Sequence, residues 1–270
     1  MEIHEQTSIH KDNSLTHGNR RLAQITSQDC LVALFTYNNG PDLEATLKRF
    51  GADYPFPVVV HVDGSTDGSD ACLKDYPFPV IRTSINQGIG RSVKNVIEYA
   101  EANSYKAFAL IAGNNKNDPA EMSILFKPIL RDEADYVQGS RYLPGARRDH
   151  TPLFRLVMVK VYSLFVSLIT WHWCTDALEG VRAYKLCILQ DPNINIWQEW
   201  LDTYGYETYV HYKVLTSHYR VKEVPISKIY PHDKKSLINL GGRSYSFIRP
   251  VVDWWLIVRP LFYLRLGIKK

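Results

Sequence analysis

Asp63 ends an apolar run, Pro57-Val58-Val59-Val60-His61-Val62. A carboxylate at a strand end can accept hydrogen bonds from a nucleotide base or ribose, or it can cap the turn that follows. Asn86-Gln87-Gly88-Ile89-Gly90 opens a helical pattern. Glycines there let backbone N–H groups approach a phosphate, although glycine is also common in plain turns. Arg91 is placed to reach a diphosphate or to stand as a solvated helix charge. Arg141 follows another apolar run, with Arg147 and Arg148 close behind. Guanidinium groups near a sheet edge suit an anionic ligand, and for Arg147 and Arg148 a plain surface role serves equally. The stretch Ala112-Gly113-Asn114-Asn115-Lys116-Asn117-Asp118-Pro119 lies between the apolar run Phe108–Ile111 and a helical segment. Small polar residues after a strand and before a helix mark the carboxyl edge of an open α/β sheet, where ligands sit. Asp118 precedes Pro119 in the manner of a helix N-cap. The nine histidines show no HxxxH or clustered spacing, which argues against a structural metal site.

The elements that must position these groups alternate. Leu31–Phe35, Pro57–Val62, Phe78–Arg82, Tyr105–Ile111 and Ala134–Gln138 read as buried strands. Helical patterns stand between them at Asp42–Phe50, in a short turn around Ala71–Lys74, from Gly88 to about Ala102, and from Pro119 to Leu130. Val93, Val96, Ile97 and Ala100 give the third its apolar face. Such alternation predicts right-handed βαβ units and a mostly parallel sheet. Further on, Tyr204–Ser217 reads as a helix and Tyr219–Val224 as a strand.

A chain of 270 residues suffices for one large α/β domain or a domain with an appendage. Net charge is +4, which fits phosphate ligands or an anionic membrane surface. No basic stripe with interleaved aromatics points to nucleic acid. The four cysteines lack a CxxC spacing and read as thiols of a reducing compartment. Residues 1–28 are polar, without an apolar h-region, and read as a mobile leader outside the fold.

The second half is more amphipathic. Leu153–Trp173 carries Arg155 and Lys160 near its start, and its uncharged part is too short to span a bilayer of about 30 Å. It reads as a helix packed on the sheet or lying in the membrane interface. Phe247–Ile268 mixes Trp254, Trp255, Phe262 and Tyr263 with Arg249, Arg259 and Arg265, punctuated by Pro250 and Pro260. That pattern suits an interfacial segment, a helix docked on the domain, or a contact between copies of the chain.

The ordered set Thr36-Tyr37-Asn38, Asp63-Gly64-Ser65-Thr66-Asp67, Asn86-Gln87-Gly88, Gly139-Ser140-Arg141-Tyr142, Asp176–Gly180 with Val181-Arg182-Ala183-Tyr184, and Glu223-Val224-Pro225-Ile226 resembles family 2 of the GT-A glycosyltransferases. The likeness is to the dolichyl-phosphate mannosyltransferase-like group and covers roughly Cys30 to Ser236. It implies a GT-A, Rossmann-like α/β fold with a mostly parallel open sheet flanked by helices. The domain would occupy residues 29–240, with residues 241–270 as a C-terminal amphipathic, membrane-interfacial segment. The implied reaction is inverting transfer from a UDP- or GDP-sugar to a polyprenyl phosphate or a lipid-linked glycan. The implied place is the cytoplasmic, inner face of the cell membrane, with peripheral attachment.

By the same resemblance Thr36, Tyr37, Asn38, Asp63, Ser65, Asn86, Gly88, Arg91 and Asn114 would bind the donor. Asp176 would act as a general base or orient the sugar, with Arg141 and Lys116 beside it. Arg182, Glu207, His232, Lys235 and Ser236 would meet the acceptor or its phosphate. A loop aspartate paired with Arg182, and a solvated Glu207, are the plainer readings. The family's metal-binding Asp-x-Asp is replaced by Ala112-Gly113-Asn114, and its tandem aspartates by Val62-Asp63. Mg²⁺ and Mn²⁺ prefer oxygen ligands, usually carboxylates, so Asn114 is a poor ligand and Asp118 the fallback. Lys116 is expected to neutralise the leaving diphosphate in the cation's place. The competing expectations are a sugar-nucleotide-binding relative without activity and a sugar-1-phosphate nucleotidyltransferase. The second lacks its Gly-rich basic loop, since Thr36-Tyr37-Asn38-Asn39 stands there.

Overall fold

A computed structural model of the chain describes residues 24–149, 151, 153–230 and 252–269. Strands β1 (Cys30–Thr36), β2 (Val58–Asp63), β3 (Val80–Thr83) and β4 (Ala107–Ala112) alternate with helices α1 (Pro41–Leu47) and α2 (Ile89–Ala102). Then follow α3 (Met122–Leu130), β5 (Tyr136–Ser140), β6 (Arg148–Asp149), α4 (Leu153–Thr170), β7 (Arg182–Lys185), α5 (Gly205–Leu215), β8 (Val221–Pro225), β9 (Lys228–Ile229) and α6 (Val252–Arg265). Seven strands form one sheet in the order β3-β2-β1-β4-β7-β5-β8, and β6 pairs with β9 apart from it. All neighbours run parallel except β7, which is antiparallel to both β4 and β5. The α/β fold with a mostly parallel sheet is therefore as expected, with one reversed strand.

Successive strand residues point to opposite faces, which sorts the core into two layers. Cys30, Val32 and Leu34 pack with α1 and α3 through Leu43, Leu47, Leu125 and Phe126. Leu31, Ala33 and Phe35 pack on the other face with Val93, Val96 and Ile97 of α2 and Tyr206, Tyr209 and Val210 of α5. A third cluster joins Tyr162 and Val166 of α4, Leu215 of α5, and Ile257 and Leu261 of α6. α4 thus packs on α5 rather than on the sheet, and the Tyr162 hydroxyl lies 3.1 Å from that of Thr208. Gly139 and Ser140, expected beyond the fifth strand, belong to β5 and pair with Val224 and Pro225. Pro260 does not end the tail helix: α6 runs through it. No helix of the described residues is long and apolar enough to cross a membrane.

Candidate active site

Loops from four parallel strands converge at the carboxyl edge of the sheet. The loops after β1 and β2 are stitched together. The Asn38 N–H donates to Ser65 Oγ at 3.1 Å, and Asn38 Oδ1 accepts from the Thr66 N–H at 2.7 Å. Asn39 Nδ2 donates to Thr36 Oγ1, so the tie leaves the Tyr37 ring exposed at the edge.

Asp63 is buried, and its oxygens accept from the Gln87 N–H (2.8 Å), the Gly88 N–H (2.9 Å) and the Thr83 hydroxyl (3.1 Å). A buried carboxylate requires such donors. Asp63 therefore fastens the loop ahead of α2. Gly88 and Gly90 mark a close approach of backbone to backbone. A Cβ at Gly88 would stand 2.6 Å from the Asp202 carbonyl oxygen, and one at Gly90 1.9 Å from that of Leu201. These glycines let α2 start hard against the turn Glu199–Leu201, where the Arg91 N–H donates to Asp202 O at 3.0 Å. The start of α2 thus packs directly on this turn. Asn86 remains exposed beside it.

The loop after β4 is clamped between α1 and β9. Asn114 Oδ1 accepts from the Lys116 N–H at 3.3 Å, and the Asn115 N–H donates to Thr46 Oγ1 at 2.9 Å. Asn117 Nδ2 donates to Ser227 O, and the Lys116 carbonyl accepts from the Ile229 N–H at 2.8 Å. Asp118 caps the next turn through the Ala120 N–H and pairs with Arg49 at 2.7 Å. Lys116 is 6% exposed, with its ammonium 5.1 Å from the centroid of the Tyr230 ring. A hard dication needs several oxygen ligands. This loop offers a neutral amide already bonded to an N–H, a carboxylate already paired with a guanidinium, and an ammonium. Among the described residues no three His, Cys, Asp or Glu side chains group to hold an ion. The described residues of this loop do not fit a Mg²⁺ or Mn²⁺ site.

Behind the loop lies a buried ionic cluster. Asp176 is fully buried, and its oxygens accept from the Arg141 N–H (3.0 Å), Arg141 Nε (2.7 Å) and Arg141 Nη2 (2.8 Å). Its partner is thus Arg141, not Arg182, and Arg141 is itself buried. Arg182 donates to Tyr136 Oη (3.1 Å), Glu179 O (2.7 Å) and Glu207 O (3.0 Å), which ties β5, the segment before β7 and α5 together. His232, Lys235 and Ser236 lie outside the described residues.

A cavity of about 130 Å³ opens at the ends of β1 and β4, lined by Ala112, Asn117, Glu179, Gly180, Glu207 and Lys228 among others. Burial works against the Glu179 carboxylate, yet the charges of Lys228 and Arg141 hold its pKa below the usual range. Glu207, on the first turn of α5, goes the other way: burial raises it and Arg182 only partly offsets that. Glu179 and Lys228 were missed in the sequence. Glu179 sits inside the Asp176–Gly180 segment, and its position in that segment was the available signal.

A second surface, along α4, is apolar. Leu153, Val157, Val161, Leu164 and Leu168 lie exposed along one face of α4, followed by Trp171 (90% exposed) and Trp173. Phe165 of α4 meets Phe262 of α6 at 5.9 Å, which carries the face on to Trp255. A shallow groove of about 480 Å³ borders it. There Lys160 and Arg148 sit over the Tyr142 ring at 3.9 and 4.5 Å.

The chain is 24% identical over 210 residues to the polyprenol monophosphomannose synthase of Mycolicibacterium smegmatis, covering 74% of this chain and 77% of that one. It is 23% identical over 235 residues to the undecaprenyl-phosphate mannosyltransferase of Micrococcus luteus, covering 85% and 95%. Its fold matches the glucosyl-3-phosphoglycerate synthase of Mycobacterium tuberculosis, solved with Mn²⁺, UDP and glucosyl-3-phosphoglycerate, at a TM-score of 0.60 and 15% identity, covering 89% and 81%. The sequence model described as glycosyl transferase family 2 matches residues 31–188, more than half of the chain, and the protein belongs to that family as a glycosyltransferase.

Proposed function

We propose that this glycosyltransferase moves a sugar, with inversion, from a UDP- or GDP-sugar to a polyprenyl phosphate or a lipid-linked glycan. It works from the inner face of the cell membrane without a divalent ion. The observation that carries the reading is adjacency. The cavity at the carboxyl edge and the groove along the apolar face of α4 meet at the β6–β9 pair, where Arg148 of the groove stands opposite Lys228 of the cavity. A water-soluble donor and a lipid acceptor need such a border. The two mannosyltransferase relatives, named for polyprenol and undecaprenyl-phosphate substrates, align over most of the chain and support the same acceptor class.

The enclosure of Asp176 agrees with that acceptor. A phosphate oxygen is already ionised near neutral pH, so its attack on the anomeric carbon needs no base. The new C–O bond forms as the bond to the leaving diphosphate breaks, and negative charge collects on the diphosphate. Asp176 and Arg141 then act by positioning the Glu179–Gly180 segment. Lys116 supplies the positive charge at the end of β4 in this reading, with Asn114, Tyr37 and Asn86 around the donor.

Transfer assays with a donor panel and undecaprenyl phosphate test it. Activity is expected to persist in excess chelator. Lys116→Ala is expected to lower kcat by about 10²- to 10³-fold, the loss typical of a missing charge-stabilising donor. Complete loss in chelator, restored only by Mg²⁺ or Mn²⁺, would overturn the metal-free reading. A wild type that binds nucleotide sugars yet turns over none of the panel would favour a binding relative without activity.

A further inference from the structure

Lys116 belongs to the loop after β4, yet it is held in part from a distant stretch of chain, Ser227–Tyr230 around β9. The Ile229 N–H donates to the Lys116 carbonyl at 2.8 Å, and Asn117 Nδ2 donates to the Ser227 carbonyl at 3.0 Å. Tyr230 then lies against the lysine side chain. It is 2% exposed, and its ring centroid stands 5.1 Å from Lys116 Nζ, inside the range of about 6 Å in which a ring face attracts a cation.

The ring is itself fixed at two points. The Tyr230 N–H donates to the Asp149 carbonyl of β6 at 3.2 Å. Its hydroxyl accepts from Arg155 Nη1 of α4 at 3.0 Å, and the Arg155 guanidinium carbon stands 5.8 Å from the same centroid. A buried tyrosine hydroxyl requires a partner, and here the partner comes from a helix outside the sheet layers. One side chain thus joins α4, β6 and the strand-end loop.

An aromatic seat suits a lysine that must meet an anion. Burial works against an ammonium unless something compensates it. A carboxylate compensates by cancelling the charge. A ring face attracts the cation through its quadrupole and adds no negative charge, so the positive charge stays available for a leaving diphosphate. A charge held in place before the reaction also gives up no freedom during it, and a lysine stem is otherwise flexible.

We propose that Tyr230 is a positioning residue for transfer: its ring seats the Lys116 ammonium at the end of β4, and the bond from Arg155 sets the ring. The proposal rests on the role given to Lys116 under Proposed function.

Transfer kinetics with the donor panel and undecaprenyl phosphate test it, in single variants and in a double-mutant cycle. Tyr230→Met, which fills much of the same space without a ring, is expected to lower kcat by about 10- to 100-fold and leave the donor KM within about twofold. Tyr230→Phe, which keeps the ring and gives up the Arg155 bond, is expected to lose about fivefold at most. In the Lys116→Ala background, Tyr230→Met is expected to cost less than about a further twofold, since a residue acting through Lys116 has nothing left to place. Fluorinated phenylalanines incorporated at position 230 keep the shape while draining charge from the ring face, and kcat is expected to fall stepwise with fluorine count. This series reads the seat even where the Met variant does not fold. Losses that multiply in full in the double variant, a Phe variant as slow as the Met variant, or a flat fluorine series would overturn the positioning role. A wild type that turns over no donor, or a Lys116→Ala enzyme as fast as the wild type, would instead overturn the reading of Lys116 and the positioning role with it.

Discussion

Arg141 carries more of the site than its exposure suggests. It faces two buried carboxylates, Asp176 and Glu179, and gives Asp176 three N–H bonds. Removing one partner of a buried pair leaves the other charged and unpaired, at a cost of about 3–5 kcal/mol. Arg141→Ala is therefore expected to lower unfolding free energy by that amount in urea titrations. Asp176→Asn, which keeps the shape and one acceptor oxygen, is expected to cost less. Equal losses in the two variants would show that shape rather than charge matters there. The sequence made Asp176 and Arg141 legible as site residues because they fall in ordered motifs. It did not show that they hold each other, since the contact spans 35 residues and depends on how β5 and the segment before β7 meet. For the same reason Asp63 reads as a ligand-binding carboxylate in sequence, while the fold turns it to the backbone of Gln87 and Gly88.

Helix α5 shows what burial does to an element with charge on both flanks. His211 lies on its inner side, where its Nδ1 meets the Tyr136 hydroxyl at 3.0 Å. Burial first, then the charge of Arg182, pushes its pKa well below the ordinary value. The folded state keeps the ring neutral while the unfolded chain takes up a proton below about pH 6.5. Stability from this residue is thus full above that pH and falls as pH drops, by about 1.4 kcal/mol per pH unit. Thermal melts from pH 7.5 to 5 are expected to show a steeper decline for the wild type than for His211→Gln; parallel slopes would contradict the assignment. β1, β2 and β4 could be read almost residue by residue, because strands buried on both faces appear as unbroken apolar runs. β6 and β9 could not, since each is two residues long and exists through its pairing. The tail was read as punctuated at Pro260, but α6 keeps the proline inside the helix, packed close to Gly205 of α5, where a Cβ would stand 3.3 Å from its ring.

At the scale of the whole molecule the exposed apolar face of α4 and α6 departs from an ordinary globular surface. Contiguous exposed apolar patches mark contact with lipid or protein. The cations Lys160 and Arg148 at its border favour an anionic membrane. Sedimentation with anionic lipid vesicles is expected to capture the chain at low salt and to weaken at high salt, where screening is strong. A Val161→Glu, Leu164→Glu double variant is expected to reduce capture at least fivefold with its melting temperature unchanged. Lipid-independent dimers that the same double variant dissolves would assign the face to a second copy of the chain instead. The amphipathic character of both segments was legible from composition. Which side faces outward was not, because it follows from α4 and α6 both resting on α5.

The reversed strand β7 also sets a timetable. β2 pairs with strands close in sequence, β1 and β3, whereas β1 to β4, β4 to β7 and β5 to β8 join residues as distant as Cys30 and Ala107, Ala107 and Lys185, and Tyr136 and Val221. β5 has no neighbour in the sheet until β7 and β8 are available, and β7 alone joins it to β4. Non-local pairings of this kind form late, because chain entropy must be given up before the contacts return it. The segment Asp176–Gly180 reaches the carboxyl edge because the chain then enters a strand that runs back across the sheet. The part of the cleft that β5, β7 and β8 build therefore waits for the chain beyond Arg182, and a chain halted before Pro225 has a partial sheet but no finished cleft.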